Sequence, residues 1–383
     1  MPDVVVVGGG VVGASVAWHL ARSGVRDVLV VERGANLGEG STGRATGGFR
    51  AQFGTDINVR LSLLARDKLR RFRDEVGGDA GYRPSGYLWL CRTGDELRVL
   101  RDAQQVQHAA GLDEARMVDA REIAALNPAA SLQDVVGGAF CPTDGFVRPL
   151  GILEGYLDGA RRLGVRIRSG AEVVGLRRGR SGLIEAAQLR DEDVPCGTVV
   201  NAAGPWAHPL GALAGVEVPV KPLRRQVACT VPCAVLPEDM PMTIWVTDGF
   251  HLRVRDGRVL LLHPIPEAPG FSTRVDPAWV ASVRDLAARR VPALAGIPID
   301  EARCWAGSYE MSPDGHALLG PAPGCENLFL VNGSSGHGVM HAPALGALAA
   351  EWIVHGAARS LDVHALRASR FAEGQPIGGP SLL

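Results

Sequence analysis

A glycine-rich loop near the start of the sequence has the residue types and spacing of a dinucleotide-binding site. Residues 8–13 read Gly-Gly-Gly-Val-Val-Gly, so Gly8, Gly10 and Gly13 occupy the fixed positions of the pattern G-x-G-x-x-G. The first glycine makes a tight turn, the second admits a pyrophosphate, and the third lets a helix pack closely on a strand. Glu32 follows Gly13 by 19 residues, where a carboxylate accepts a hydrogen bond from a ribose 2′-hydroxyl. The alternative is a glycine-rich turn in an α/β domain that binds no nucleotide.

The elements predicted around this loop form a βαβ unit. Residues 3–7 contain four successive valines, residues 12–23 form a helical stretch that ends at Gly24, and residues 27–32 form a second apolar strand. The N-terminus of such a helix offers backbone amides and partial positive charge to phosphate groups. The same pattern returns later in the chain, with strands predicted at 165–168, 198–201 and 327–332 and helices near 151–163 and 341–354.

A different pattern, in which side chains alternate along short strands, separates these stretches. Antiparallel strands are predicted at 87–90, 226–231, 242–246, 251–254 and 259–262. The dipeptide Asp256-Gly257 between the last two is typical of a hairpin turn. We therefore predict an α/β fold: a Rossmann-like dinucleotide-binding domain with an inserted, mostly antiparallel β-sheet substrate domain of α+β type. The first domain is assembled from residues 1–80, 145–215 and 300–383, and the second from residues 81–144 and 216–299.

Composition excludes several classes of protein. The chain has 383 residues and a formal net charge of −1, so it has no basic field to hold nucleic acid or an anionic membrane. Its seven cysteines have no paired spacing, which argues against a disulfide framework and a zinc site. No basic segment precedes the first apolar run, and three consecutive glycines interrupt that run. We therefore expect no secretory signal, no transmembrane segment, no metal and a cytoplasmic location.

Further motifs give the chain a family resemblance. They are Glu-Arg-Gly at 32–34, Gly-Ser-Thr-Gly-Arg at 40–44, Gly-Gly-Phe-Arg-Ala-Gln-Phe at 47–53, and the segments 199–206, 309–316 and 333–340. In this combination and order the sequence resembles the D-amino acid oxidase superfamily of flavoproteins. It looks most similar to the branch of sarcosine oxidase β-subunits, glycine oxidase and dye-linked proline dehydrogenase β-subunits. The resemblance spans nearly the whole chain and implies that the dinucleotide is FAD.

The resemblance also implies where the parts of FAD lie. Ser41 and Thr42 would lie by the pyrophosphate, residues 44–48 under the isoalloxazine, and Val173 by the adenine. Residues 336–339 would lie at the pyrimidine end of the flavin, where amides and a helix N-terminus stabilise negative charge. The full implied set of FAD-binding residues is Gly8, Gly10, Val11, Val12, Gly13, Glu32, Arg33, Ser41, Thr42, Arg44, Ala45, Gly47, Gly48, Val173, Ala203, Gly204, Trp206, Gly307, Gly336, His337, Gly338, Val339 and Met340.

Three residues are candidates for contact with the substrate. In the match to sarcosine oxidases, Arg50 falls on the arginine that takes the substrate carboxylate, a role that suits its bidentate fork. His251 and Arg253 fall on a strand that carries active-site side chains in these enzymes, and their spacing lets both face one pocket. The alternatives are a solvated surface arginine for Arg50, an exposed strand face for the other two, and an ordinary loop histidine for His337.

Three positions depart from the sarcosine oxidase pattern. Arg253 stands where those enzymes have a lysine that activates oxygen, so O2 is in doubt as the natural oxidant. Met340 stands where monomeric sarcosine oxidases have a second carboxylate-binding lysine, and methionine is more like the proline dehydrogenase β-type chains. Gly307 stands at the place of the cysteine that bonds covalently to flavin, and Cys304 lies three residues too early. The resemblance therefore implies non-covalent FAD.

The sequence thus predicts an FAD-dependent amino acid or amine oxidase or dehydrogenase. It would oxidise the C–N bond of a small amino, N-alkyl amino or imino acid by hydride transfer to flavin N5, and the electrons would pass to O2, a quinone or a partner protein. One alternative is the catalytic subunit of a hetero-oligomeric dehydrogenase that relays electrons to partner subunits. Another is a flavin-binding assembly factor without turnover. A homo-oligomer or hetero-oligomer is possible in this prediction.

Overall fold

The computed structural model describes residues 2–379 of the chain. Met1 and residues 380–383, which the predicted FAD-binding domain includes, lie outside the described residues. Within 2–379 the α-helices are α1 (Val11–Arg22), α2 (Asp56–Arg70), α3 (Phe72–Glu75), α4 (Gly94–Ala109), α5 (Ala120–Leu126), α6 (Pro149–Arg162), α7 (Ala207–Ala212), α8 (Pro277–Arg290) and α9 (Gly338–His355). The strands of the same residues are β1 (Val4–Val7), β2 (Val28–Val31), β3 (Gly48–Phe49), β4 (Tyr87–Cys91), β5 (Arg116–Val118), β6 (Gly137–Cys141), β7 (Gly145–Phe146), β8 (Arg166–Arg168), β9 (Val173–Arg178), β10 (Ile184–Leu189), β11 (Asp193–Pro195), β12 (Thr198–Asn201), β13 (Lys221–Cys229), β14 (Met242–Trp245), β15 (His251–Arg255), β16 (Arg258–Leu262), β17 (Trp305–Met311), β18 (Leu318–Ala322) and β19 (Cys325–Asn332).

The first large sheet has six strands in the order β18-β19-β12-β1-β2-β8. All neighbouring pairs are parallel except β18 with β19. Successive side chains of a strand point to opposite faces, so Val4 and Val6 pack with α1, α2, α6 and α9, whereas Val5 and Val7 pack with β9 and β10. Because both faces are covered, a continuous apolar run suits β1. The predicted α/β fold class is confirmed.

The second large sheet has eight strands in the order β17-β13-β16-β15-β14-β4-β6-β5. One face packs on α8, and Leu252, Leu261 and Trp279 belong to one buried apolar cluster. Pairing is antiparallel except between β14 and β4, which run parallel from Met242↔Tyr87 to Trp245↔Leu90. The sheet is thus mostly antiparallel, as predicted. The sequence did not indicate which pair would be parallel, because local alternation carries no information about strand direction.

Two features of this sheet lie outside the sequence prediction. Strand β13 begins at Lys221, five residues before the predicted start, because residues 221–227 pair with β17. Strand β17 belongs to the third stretch of the predicted FAD-binding domain, yet its hydrogen bonds join it to the substrate sheet. The division of the chain into domains remains a prediction.

The hairpin turn between β15 and β16 has the predicted residues. Asp256 and Gly257 have φ angles of 54° and 67°, and two successive positive φ angles are the requirement of a type I′ turn.

No helix among residues 2–379 is both long enough and apolar enough to cross a membrane. The described residues also contain no group of three or more His, Cys, Asp or Glu side chains that could hold a metal ion.

Candidate active site

One large cavity lies between the two large sheets. Its volume is about 820 Å³. It is lined by every residue that the sequence assigned to FAD except Gly13, and by the two substrate candidates Arg50 and His251. We call the part of the eight-stranded sheet that faces the cavity the sheet wall; its lining residues include Tyr87, Arg225, Gln226, Met242, Ile244, His251, Tyr309 and Glu310.

The glycine loop after β1 has the close approaches that its pattern predicts. Gly8 has a φ of +118°, and a Cβ added there would lie 2.3 Å from the carbonyl oxygen of Ala202. A Cβ on Gly13 would lie 2.0 Å from the carbonyl oxygen of Gly8, so Gly13 allows helix and strand to pack rather than lining the cavity. Within the described part of the chain, a Cβ on Gly10 would meet only Thr42 Oγ1, at 3.3 Å. The cavity is therefore open in front of Gly10, as a pyrophosphate requires.

The Glu32 carboxylate is held at the end of β2 beside this loop. Its Oε2 accepts a hydrogen bond from the Gly9 amide at 2.8 Å, and its Oε1 accepts one from the Gly34 amide at 2.7 Å. Next to it, the Arg33 guanidinium lies 3.8 Å from the ring centroid of Trp206. These side chains line the same end of the cavity, and an oriented carboxylate there fits a ribose hydroxyl.

We expect Glu32→Ala to weaken FAD binding by about 1–3 kcal/mol, because charge-assisted hydrogen bonds to the ribose and to the Gly9 and Gly34 amides are lost. Glu32→Gln is the conservative partner, since it keeps an oxygen acceptor but removes the charge. Quenching of flavin fluorescence during titration of apoprotein measures the affinity. Unchanged FAD affinity in Glu32→Ala would remove Glu32 from the site.

The loop of residues 44–48 forms the floor of the cavity under the sheet wall. Gly47 has a φ of +77°, and a Cβ on Gly48 would lie 2.0 Å from the Tyr87 hydroxyl. Arg253 lies behind this loop: its Nη1 donates to the carbonyl oxygens of Thr46 at 2.8 Å and Gly47 at 3.2 Å. Its guanidinium also lies 3.6 Å from the ring centroid of Phe146. His251 thus lines the cavity, whereas Arg253 holds the loop and is not among the lining residues.

Arg50 is a buried cation in the wall of the cavity, with 4% of its surface exposed. Its Nη1 donates to the carbonyl oxygen of Gln52 at 3.1 Å, and its Nη2 lies 3.1 Å from His337 Nε2. The guanidinium also lies 4.2 Å from the ring centroid of Phe53. Burial lowers the pKa of Arg50 to about 10, so the side chain stays protonated at neutral pH.

Burial keeps the neighbouring histidines neutral. It lowers the pKa of His251 to about 4 and that of His337 well below its ordinary value, and the nearby Arg50 charge acts in the same direction. His251 Nδ1 lies 2.8 Å from the carbonyl oxygen of Gly249, so Nδ1 carries the proton and donates. At neutral pH these imidazoles can donate or accept hydrogen bonds but add no positive charge.

The helix α9 begins at the cavity. Its N-cap is His337, whose side chain makes no capping hydrogen bond, and the preceding Gly336 has a φ of +93°. A Cβ on Gly336 would lie 2.4 Å from the ring of Tyr309. The first amides of a helix have no intrahelical partner and favour negative charge. The start of α9 is therefore suited to an anionic flavin edge, as the resemblance implies.

Sequence reasoning did not single out four cavity residues: Tyr87, Arg225, Tyr309 and Glu310. Burial raises the pKa of the Tyr87 hydroxyl. Burial also raises the pKa of the Glu310 carboxyl, to about 7. One Glu310 oxygen accepts from the Ser334 amide at 3.2 Å, and the other is buried with no partner among the described residues. The motif at 309–316 contained two of these residues, but spacing alone does not say which side chains face a cavity.

No cysteine lies in the cavity wall within residues 2–379. At the position of the covalent flavin link in sarcosine oxidases, a Cβ on Gly307 would lie 3.0 Å from Arg44 Cβ. Cys304 is turned away, and its Sγ donates to the carbonyl oxygen of Asp300 at 3.5 Å. The side chains present fit a dinucleotide held by amides, hydroxyls and one carboxylate.

Comparison with known proteins agrees with this geometry. The profile of the family described as "DAO: FAD dependent oxidoreductase" matches residues 3–352. 4-Methylaminobutanoate oxidase (formaldehyde-forming) of Paenarthrobacter nicotinovorans is 30% identical over 382 residues, which cover 96% of this chain and 45% of that protein. FAD-dependent oxidoreductase domain-containing protein 1 of Xenopus laevis is 29% identical over 422 residues, covering 98% of this chain and 83% of that protein.

A solved structure has the same fold. L-Proline dehydrogenase from P. horikoshii superposes with a TM-score of 0.91 at 27% identity, covering 98% of this chain and 99% of that one. The chain thus matches that structure along its whole length but spans less than half of the 4-methylaminobutanoate oxidase. The family resemblance and the FAD cofactor predicted from the sequence are confirmed. The chain belongs to the DAO family of FAD-dependent oxidoreductases.

Proposed function

We propose that this oxidoreductase oxidises the C–N bond of a small amino, N-alkyl amino or imino acid. The observation that carries the proposal is Arg50, a buried guanidinium in the cavity wall. A bidentate arginine is suited to a carboxylate and poorly suited to an uncharged amine. The names of two similar proteins, a 4-methylaminobutanoate oxidase and an L-proline dehydrogenase, support the same substrate class.

In this proposal the side chains of the cavity orient and desolvate the substrate. Bound FAD supplies a hydride acceptor at flavin N5. Arg50 binds the carboxylate and fixes the direction of the reacting C–H bond. The bound substrate is therefore already oriented for the reaction, which lowers the entropic part of the barrier. The substrate amine must be neutral so that its nitrogen lone pair assists loss of the hydride. The imidazoles of His251 and His337 are neutral at neutral pH, so Arg50 is the cation that binds the substrate carboxylate. The product imine hydrolyses in water.

We also propose Arg253 as a positioning residue rather than a group that meets oxygen. Its guanidinium donates to the carbonyl oxygens of Thr46 and Gly47, and in that place it supports the loop under the flavin. Electrons would then pass to a dye, a quinone or a partner protein faster than to O2. In that form the protein works as a dehydrogenase, alone or as the catalytic subunit of a larger assembly.

One experiment tests the cofactor link and the reaction together. We expect the purified protein to be yellow and to release intact FAD into the supernatant on acid precipitation, because no cysteine among residues 2–379 lines the cavity. In anaerobic titration, at least one of a panel of L-, D- and N-alkyl amino acids should bleach the flavin. Stopped-flow mixing of the reduced protein with O2 and with a quinone then compares the two acceptors.

The contrary outcomes are distinct. Colour that stays in the precipitate would demonstrate a covalent flavin. If no amino acid of the panel bleaches the flavin, the result would favour the alternative of a flavin-binding assembly factor without turnover. Reoxidation by O2 as fast as by the quinone would contradict the proposed acceptor and leave the proposed oxidation of C–N bonds in place.

A further inference from the structure

Two successive arginines on β13 have opposite surroundings. Arg224 forms a bidentate ion pair with Glu267 at 2.9 and 3.0 Å, and Gln226 donates to the same carboxylate at 3.2 Å. Arg224 is not among the residues that line the cavity, although Gln226, which binds the same carboxylate, is. Because side chains alternate along a strand, Arg225 projects from the face opposite to that of Arg224 and belongs to the sheet wall.

Arg225 has few partners of its own. Its Nη1 donates to the carbonyl oxygen of Arg224 at 3.2 Å, and its guanidinium lies 5.7 Å from the ring centroid of Tyr309. Among residues 2–379, no Asp or Glu side chain forms an ion pair with Arg225. A guanidinium offers five N–H donors and no acceptor, so this position suits an anionic ligand.

The groups around Arg225 do not supply that anion. Besides Glu310, the polar side chains of this sheet that line the cavity with Arg225 are His251 and His263, whose pKa values burial lowers, together with Gln226 and the hydroxyls of Tyr87, Ser308 and Tyr309. Glu310 follows Tyr309 on β17, but its carboxyl is turned to the Ser334 amide and burial raises its pKa to about 7. With Arg50, the cavity thus has two guanidinium groups near Tyr309. A ligand with two carboxylates would give each guanidinium an anionic partner of its own.

We propose that the substrate is a dicarboxylic amino, N-alkyl amino or imino acid, whose second carboxylate binds Arg225 while Arg50 binds the carboxylate beside the reacting C–N bond. This inference rests on the proposed function and specifies its substrate class. Fork-shaped pairing of an arginine with a carboxylate gives directional recognition as well as charge. Arg225 is not among the FAD-binding residues that the family resemblance implies, so it can determine substrate specificity.

The test compares acids with their neutral isosteres on the FAD-loaded protein. N-Methylglutamate and N-methylglutamine form one oxidisable pair, and glutarate and its monoamide form a pair that cannot be oxidised. Perturbation of the flavin absorbance gives the dissociation constant of the second pair without turnover. We expect the wild type to favour the diacid by about 10–100-fold, and Arg225→Gln to bring the ratio close to one. The affinity of the monoamide should change little.

Arg255→Gln is the matched control. Arg255 lies on β15, its guanidinium is 5.3 Å from the Trp305 ring centroid, and it is not a lining residue, so the variant should keep the wild-type ratio. A wild type without preference for diacids would overturn the inference, and so would Arg225→Gln with an unchanged ratio. Weaker FAD binding in Arg225→Gln would instead assign Arg225 to the cofactor. If diacid binding depends on Arg225 but no amino acid is oxidised, the proposed function fails and the second anion site stands.

Discussion

Arg50→Ala is expected to lower kcat/KM for the best amino acid by about 10²–10⁴. In the wild type the buried guanidinium would pair with the substrate carboxylate. In the variant that carboxylate would be desolvated in the cavity without a cationic partner. The flavin absorbance spectrum should change little, because FAD is held by the glycine loop, Glu32 and the start of α9. Steady-state kinetics with an artificial acceptor measure the change in kcat/KM.

The conservative variant and a truncated substrate serve as controls. Arg50→Lys should recover only part of the activity, because a point charge cannot reproduce the two parallel hydrogen bonds of the guanidinium. The amine that lacks the carboxylate should be a poor substrate of the wild type, and Arg50→Ala should change kcat/KM for this amine very little. Full activity of Arg50→Ala on the acid, or equal turnover of acid and amine by the wild type, would show that Arg50 is not the anchor.

Gly10→Val is expected to reduce FAD affinity by about 100-fold or more. The Gly10 backbone has φ −79° and ψ 179°, a conformation that a β-branched residue adopts, and among the described residues an added Cβ meets only Thr42 Oγ1, at 3.3 Å. The apoprotein should therefore fold with little change in its thermal midpoint. The branched side chain would instead fill the space of the pyrophosphate, and overpacking that cannot relax costs about 3 kcal/mol. Isothermal titration of apoprotein with FAD measures the loss.

Gly94→Val provides a control of the same chemical kind. Gly94 is the first residue of α4 and does not line the cavity, and an added Cβ there meets no atom of residues 2–379 within 4 Å. FAD affinity should be unchanged in this variant. Wild-type affinity in Gly10→Val would place the pyrophosphate elsewhere. A large fall in the thermal midpoint of Gly10→Val apoprotein would show that Gly10 matters for folding rather than for the cofactor.

Local sequence determined the βαβ unit of residues 3–32. The four valines of β1, the glycines at 8, 10 and 13, and Glu32 lie within a stretch of about 30 residues typical of a βαβ unit. Each of these requirements is local: a buried strand, a turn with positive φ, a helix start. Gly8 with its φ of +118° and Glu32 bound to the Gly9 amide show the geometry that the spacing predicts.

Tertiary structure alone decided which side chains of the eight-stranded sheet meet the cavity. The alternation of His251 and Arg253 correctly places both on one face, but the loop of residues 44–48 lies in front of Arg253 and takes its hydrogen bonds. Arg225 was missed because the predicted strand began at residue 226, whereas pairing with β17, about 80 residues further along the chain, extends the strand back to Lys221. Contacts between residues so distant in sequence leave no local pattern, so the substrate side of the site becomes visible only when both strands and the loop are in place.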